Sequence, residues 1–310
     1  MARLTAHHLT APATKWPRQD LHIGISGWTY AGWRGRFYPK KLAHRLELQF
    51  SSREFNSIEI NGSFYSLQLP SSYQRWYAET PPGFVFSVKG GRFITHMKKL
   101  REIEAPLANF FASGVLCLRE KLGPILWQFP PSFGWNAERF AEFFELLPRD
   151  TREATRLALK HDAKVKGRAW TKTDAARPIR HAVEIRHPTF MVPAFFALLR
   201  RHNIAFVVAD TAGKWPYAEN LTADFVYCRL HGAEQLYVSG YSDKELDWWA
   251  DRIMLWRKGK QPKDATVVSG SKAALGKRDV YVYFDNDAKV HAPFNARTLA
   301  SKLQLQGATA

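Results

Sequence analysis

A chain of 310 residues that is 45% hydrophobic, with 11 Trp, 11 Tyr and 21 Phe, can bury a full core without disulfide or metal staples. Its two cysteines, Cys117 and Cys228, lack the spacing of a disulfide framework or zinc knuckle, and no run approaches the roughly 20 apolar residues that span a bilayer, so a soluble, cytoplasmic protein without membrane contact is expected. The net charge of +17 invites nucleic acid as a partner, but thirteen of those charges sit in two stretches: 149–181 has ten Lys and Arg against four acids, and 252–278 has eight against one.

In chain order, residues 1–21 are basic, nearly free of acids and without the apolar centre of a signal peptide, which predicts a flexible tail. Short apolar runs then follow at 23–27 (IGISG), 58–61 (IEIN), 84–89 (FVFSVK) and 125–129 (ILWQF). At 136–147, Asn136 stands at a cap position before a stripe of Phe140, Phe143, Phe144 and Leu147, and Pro148 stops the helix. The run 182–186 (AVEIR) precedes a helix at 189–202, and runs 205–210 (AFVVAD) and 225–231 (FVYCRLH) follow. Ser242 with Glu245 is a capping-box signature opening a helix over 242–258, whose Trp248 and Trp249 are expected in the core. The run 280–285 (VYVYFD) and a helix at 293–305 complete the body, leaving 306–310 as a short tail.

Eight strand-like runs, mostly separated by helix-period segments, predict a single (β/α)8 TIM-type barrel over residues 22–305. The stretches 162–181 and 259–279 lack a clear element. Each follows a helix and precedes a strand, which assigns the basic excess to the face at the amino ends of the strands.

Side chains alternate across a strand, so parity sorts the polar residues at the carboxyl ends. Glu184 and Arg186 share one parity, as do Glu59 and Asn61; Ser87 and Lys89; Tyr227, Arg229 and His231; and Tyr281, Tyr283 and Asp285. Ser26, Gln128 and Asp210 end the other runs. Four acids (Glu59, Glu184, Asp210, Asp285) thus face Lys89, Arg186, Arg229 and His231. A near-balanced set is what a partly buried pocket tolerates, because unpaired buried charge is costly. A structural ion-pair network closing the barrel is the alternative.

The same residues carry a resemblance. The stretches IGISGWTYAGWRGRFYP (23–39), FNSIEINGSFY (55–65), FVFSVKGGRFITH (84–96), LWQFPPSF (126–133), AVEIRHPTF (182–190), VYCRLHG (226–232) and VYVYFDNDAKVHAPFNA (280–296) resemble, in that order, the YecE-like family, domain-of-unknown-function family 72. The resemblance implies a TIM-type barrel, related in shape to metal-dependent endonuclease and sugar-isomerase barrels, and implies no particular activity. Two features depart from the family pattern: Asp285 before Asn286, where the family usually has two asparagines, and the long basic stretch 149–180.

The mixture of charges points to acid–base chemistry on a small anionic, phosphorylated or carboxylated substrate, with the reaction open between hydrolysis and isomerase- or lyase-like steps. Arg186 and Arg229 are expected to hold the anion by bidentate hydrogen bonds, with Lys89 adding a point charge. Glu184 and His231 are the candidate base and acid, with Glu59 and Asp285 beside them. Arg92, His96, His187, Gln128, Asn61, Asn286 and Asp210 are further ligand contacts, and Trp28 and Tyr65 are candidate walls for a ring. The acids and His231 could also furnish ligands for a divalent metal, but the cations at the same level oppose it and no HxH or HExxH spacing is present. No organic cofactor is expected. Nucleic-acid binding through the basic loops, or a metal-dependent nuclease, is the alternative function.

Overall fold

The computed structural model describes residues 16, 20–268 and 276–305. The strands β1 (Leu21–Ser26), β2 (Ser57–Ile60), β3 (Val85–Lys89), β4 (Leu122–Gln128), β5 (His181–Glu184), β6 (Ala205–Asp210), β7 (Phe225–Leu230) and β8 (Asp279–Phe284) lie in sequence order. They close into a barrel, every neighbouring pair parallel, with β8 returning to β1 through the register Gly24↔Tyr283. The chain therefore folds as a single (β/α)8 TIM-type barrel.

Helices α1 (Glu47–Glu54), α2 (Gly62–Tyr65) and α3 (Pro70–Glu79) cover the first two strands, and α4 (Glu104–Ala112), α5 (Ala137–Leu146) and α6 (Thr151–Ala158) the next two. Then come α7 (Pro193–Arg201), α8 (Asp243–Arg257) and α9 (His291–Lys302). Where the local signal is strong, the helix starts as expected. Asn136 Oδ1 accepts the Arg139 N–H at 2.9 Å to cap α5, and Ser242 and Glu245 complete the capping box of α8. The helix expected over 189–202 begins only at Pro193, after a 3-10 turn at Pro188–Phe190, because proline at the first helical position forgoes an N–H that has no partner there.

Two expectations change, those for Trp16 and Trp248, and one connection of the barrel lacks a helix. Trp16, inside the expected tail, is buried, and its indole N–H donates to the Ser52 carbonyl at 3.0 Å; the expectation for 1–15, 17–19 and 306–310 lies outside the described residues. Between β6 and β7, residues 211–224 form neither helix nor strand. There Glu219 pairs with Arg252 of α8 at 3.2 Å, its backbone N–H donates to the Thr266 carbonyl, and its Oε1 accepts the Thr266 N–H. Trp249 is in the core, but Trp248 is 40% exposed and stacks on the Arg252 guanidinium at 3.4 Å, since adjacent helical positions point about 100° apart.

One large apolar core lies between strands and helices, and a second, smaller one lies inside the barrel. The inner one is unusual in its Tyr227 and Tyr283, from β7 and β8, reaching across to Ser87 and Ser57 of β3 and β2 at 2.6 and 2.7 Å. Large residues from one side meet small ones from the other, so the interior fills without voids. Gly24 belongs to this tight side, for a Cβ there would strike the Ser57 carbonyl oxygen at 1.8 Å. The phenol layer forms a polar floor beneath the charged residues above it.

Candidate functional site

One strand position above that floor, Arg229 of β7 is fully buried at the barrel axis. Its Nη2 donates to Glu59 Oε1 and Asp285 Oδ2, each at 2.8 Å, its Nη1 to Glu184 Oε2 at 2.8 Å, and its Nε to Glu59 Oε2 at 3.1 Å. Tyr227 adds a hydrogen bond to Glu59 Oε2 at 2.5 Å, and Ser26 donates a very short one to Oε1. Parity thus brings residues of β1, β2, β5, β7 and the end of β8 onto one guanidinium. His231 packs against the cluster, with Nδ1 3.2 Å from Asp285 and Nε2 3.3 Å from Arg229.

The electrostatics follow from this arrangement. Burial pushes the carboxyl groups of Glu184 and Asp285 up, but Arg229 together with His231 and Lys89, and for Glu184 also Arg186, outweighs it; Glu184 is held well below the usual range, and Asp285 is lowered to about 2. Glu184 also accepts from Gln128 at 2.7 Å and from Arg186 at 3.1 Å. A carboxylate so fully engaged is a weak base. Arg229, with its donors committed to three carboxylates, presents no free fork to a ligand, which moves the expected anion contact away from it. The cation that these carboxylates surround is a guanidinium, and among the described residues no three His, Cys, Asp or Glu side chains are arranged to hold a metal ion.

Above the cluster opens a cavity of about 730 Å³, lined by Tyr30, Asn61, Phe64, Tyr65, Lys89, Arg92, His96, Met97, Gln128, Arg186, Tyr237, Asp285 and Asp287. Its size suits a small metabolite. Arg186 is held on three sides: its guanidinium lies 3.7 Å over the Trp215 ring, it bonds Glu184 below, and its Nη2 donates to the Tyr237 hydroxyl at 3.1 Å. Lys89 is 8% exposed, and its ammonium sits 4.3 Å over the Phe64 ring with no hydrogen-bond or ion-pair partner among the described residues. Burial, then the Arg229 charge, lowers it to about 8. Asp287 moves the opposite way: burial, then repulsion from Asp285, raises it to about 6. Burial and the neighbouring Lys89 and Arg186 lower His96 to about 4. Asn61 donates to Ser26 Oγ at 3.1 Å, while its buried Oδ1 has no partner.

Of the residues singled out from sequence, Glu59, Glu184, Arg229 and His231 form the buried base of this site, and Asp285, Lys89, Arg186, Gln128, Asn61, Arg92, His96 and Tyr65 reach the cavity. Four go elsewhere. Asp210 accepts from the Tyr241 hydroxyl at 2.9 Å and lines a separate cavity of about 350 Å³ against α8, because β6 ends on the side where the chain leaves without a helix. Asn286 is fully buried and ties Ser239 to Asn295. His187 caps the 3-10 turn at Pro188 through Thr189. Trp28 packs edge-on against Trp76, beside a different opening. Sequence reasoning missed Asp287, Tyr237 and Trp215. Asp287 could have been found as the next residue of like parity after Asp285; the other two lie on irregular loops with no periodic signal.

Known proteins with this architecture can now be set beside it. A DUF72 crystal structure from Thermotoga maritima superposes with a TM-score of 0.68 at 26% identity, over 92% of this chain and 99% of that one. One from Enterococcus faecalis gives 0.65 at 16% identity over 92% and 96%, a likeness of fold. Among curated proteins, UPF0759 protein YunF of Bacillus subtilis is 32% identical over 126 residues, and UPF0759 protein YecE of Escherichia coli K12 is 28% identical over 114. These matches span 39% and 37% of this chain and 44% and 39% of those proteins, so the chain aligns with less than half the length of the curated relatives it matches. No helix among the described residues is long and apolar enough to cross a membrane. The model of the family described as "Protein of unknown function DUF72" matches residues 22–310, and the chain belongs to that family.

Proposed function

We propose that this protein is an enzyme performing acid–base chemistry on a small phosphorylated or carboxylated substrate held in the 730 Å³ cavity. The observation that carries the reading is Lys89. A lysine more than nine-tenths buried that faces a cavity, with the carboxylates of Glu59, Glu184 and Asp285 acting on it only from beyond hydrogen-bond reach, has its donors unengaged, and an anionic ligand beside Arg186 engages them. Glu59, Glu184 and Arg229 act beneath it as the frame that holds Arg186 and Asp285 in place.

The acid–base roles pass from Glu184 and His231 to the groups at the cavity surface. Asp287, raised to about 6, is chiefly ionised at neutral pH and serves as general base; Lys89, lowered to about 8, is chiefly protonated and serves as general acid or anion clamp. Both are in their working forms between pH 6 and 8, so turnover rises through about 6 and falls through about 8.

The test is thermal denaturation with a panel of phosphorylated and carboxylated metabolites near neutral pH. A ligand that binds only the folded state at a hundred times its Kd stabilises it by about 2.7 kcal/mol, a readily measured rise in Tm. K89M and R186Q should fold and lose that rise. If no anion raises the wild-type Tm, or the variants respond as the wild type does, the reading fails.

A further inference from the structure

The mouth of the cavity carries large exposed apolar side chains. Tyr65 is 65% exposed, Met97 66% and Phe93 48%, and Tyr65 and Met97 line the cavity directly. Three large apolar side chains facing water beside one pocket are more than scattered surface residues. Phe93 and Met97 are presented by a π-helical turn, Phe93–Met97, and the backbone after it has positive φ at Lys99, Leu100 and Glu102, none of them glycine. π turns and left-handed non-glycine residues both carry a conformational cost and gather at functional sites. Here they hold an apolar rim over charged depths.

One ring joins rim to interior. Phe64 meets Tyr65 edge-on at 5.1 Å between centroids and His96 at 5.0 Å, and carries the Lys89 ammonium over its face at 4.3 Å. Arg92 stands 5.5 Å over the Tyr65 ring. Two half-buried residues of the lining offer groups suited to hydroxyls: the Asn61 Oδ1 without a partner and the Asp287 carboxyl. From the mouth inward, the exposed Tyr65 and Met97, with Arg92 beside them, give way to the half-buried Asn61 and Asp287 and then to the buried Lys89.

That order matches a planar ring, a polyol and a phosphate. We infer that the cavity takes a nucleoside phosphate, its base on Tyr65 and Met97, its sugar hydroxyls on Asn61 and Asp287, and its phosphate on Lys89 and Arg186. The inference rests on the anion-binding reading above and adds to it the chemistry of the other end of the ligand. The same nucleotide unit occurs free or as the phosphorylated end of a strand.

Binding is compared by titration calorimetry for inorganic phosphate, ribose 5-phosphate, the four nucleoside 5′-monophosphates and a 5′-phosphorylated trinucleotide. Stacking on an aromatic side chain contributes a factor of about ten or more in affinity per base, so the monophosphates should bind at least about tenfold more tightly than ribose 5-phosphate. In Y65A and M97A that advantage should vanish while ribose 5-phosphate affinity stays as in the wild type. A trinucleotide that binds more tightly than the monophosphates identifies a strand end, and one that binds more weakly a free nucleotide. Equal affinity for ribose 5-phosphate and the nucleotides overturns the ring platform but leaves the anion site standing. No binding of any phosphate overturns both.

Discussion

At the scale of single residues, the buried Arg229 decides how the site is built. A guanidinium at the barrel axis makes fixed, planar hydrogen bonds to three carboxylates from β2, β5 and the end of β8, and no other side chain offers that fork. Removing it leaves three acids buried without a counter-charge, whereas exchanging the whole cluster for apolar residues would cost far less. R229M is therefore expected to lose about 3–5 kcal/mol of stability in urea denaturation, by the usual cost of breaking a buried pair. R229K keeps the charge but loses the fork, and should fall between the two. A loss below about 1 kcal/mol in R229M would show that the acids simply take up protons, and that Arg229 is not what keeps them ionised.

Single elements depend on contacts that cross between them. Lys121, just before β4, is buried, and its ammonium donates to the Tyr77 carbonyl at 2.7 Å and to the Thr80 carbonyl at 2.6 Å, at the end of α3. Those oxygens lack helical N–H partners, the Tyr77 carbonyl accepting otherwise only from the Thr80 hydroxyl at 3.3 Å, and a cation there also meets the negative end of the helix dipole. K121A leaves the Thr80 carbonyl unsatisfied and should cost about 1–3 kcal/mol, with amide exchange fastest over 76–80 if the effect is local to the end of α3. Uniform exchange across the barrel would assign the loss to packing of the lysine stem instead. His181 of β5 plays a comparable part: Nδ1 accepts from the Trp127 indole at 3.1 Å, so Nε2 bears the proton and donates to the Pro148 carbonyl at 2.8 Å. The ring is a neutral clamp between β4, β5 and the end of α5.

For the whole molecule, those protonation states set how stability varies with pH. Burial lowers His22 and His96 to about 4 and His181 to about 3, so between those values and 6.5 the unfolded chain binds more protons, and stability falls as pH drops through that range. Asp287, raised to about 6, works against this: its folded form holds the extra proton between the usual carboxylate value and 6, offsetting roughly one histidine. Glu184 and Asp285, both lowered, contribute stability that is present above the ordinary carboxylate range and lost as pH falls toward about 2. The expected curve of unfolding free energy against pH declines gently from 6.5 to 4 and steeply below 4. H181Q, which keeps an acceptor and a donor but cannot titrate, should reduce the upper slope by nearly one proton. An unchanged slope in H181Q would mean that His181 is protonated in the folded state.

The sequence by itself determined the barrel, because alternation of apolar and polar residues within a strand, and caps such as Asn136 and Ser242 at helix starts, are local rules with local causes. It also determined the inward side for the polar residues at the strand ends other than Asp210, since parity is a property of the strand alone. Tertiary structure decided the rest. Parity gives the side of a strand but not the depth or direction of a side chain, so it could not tell that Arg229 would be sealed under the cavity while Arg186 reached it, or that Asp210 would turn to Tyr241. The irregular segment between β6 and β7, with its Glu219–Arg252 pair, and the loop residues Tyr237 and Trp215 are likewise settled only when distant parts of the chain meet, because contacts between elements leave no period in the sequence.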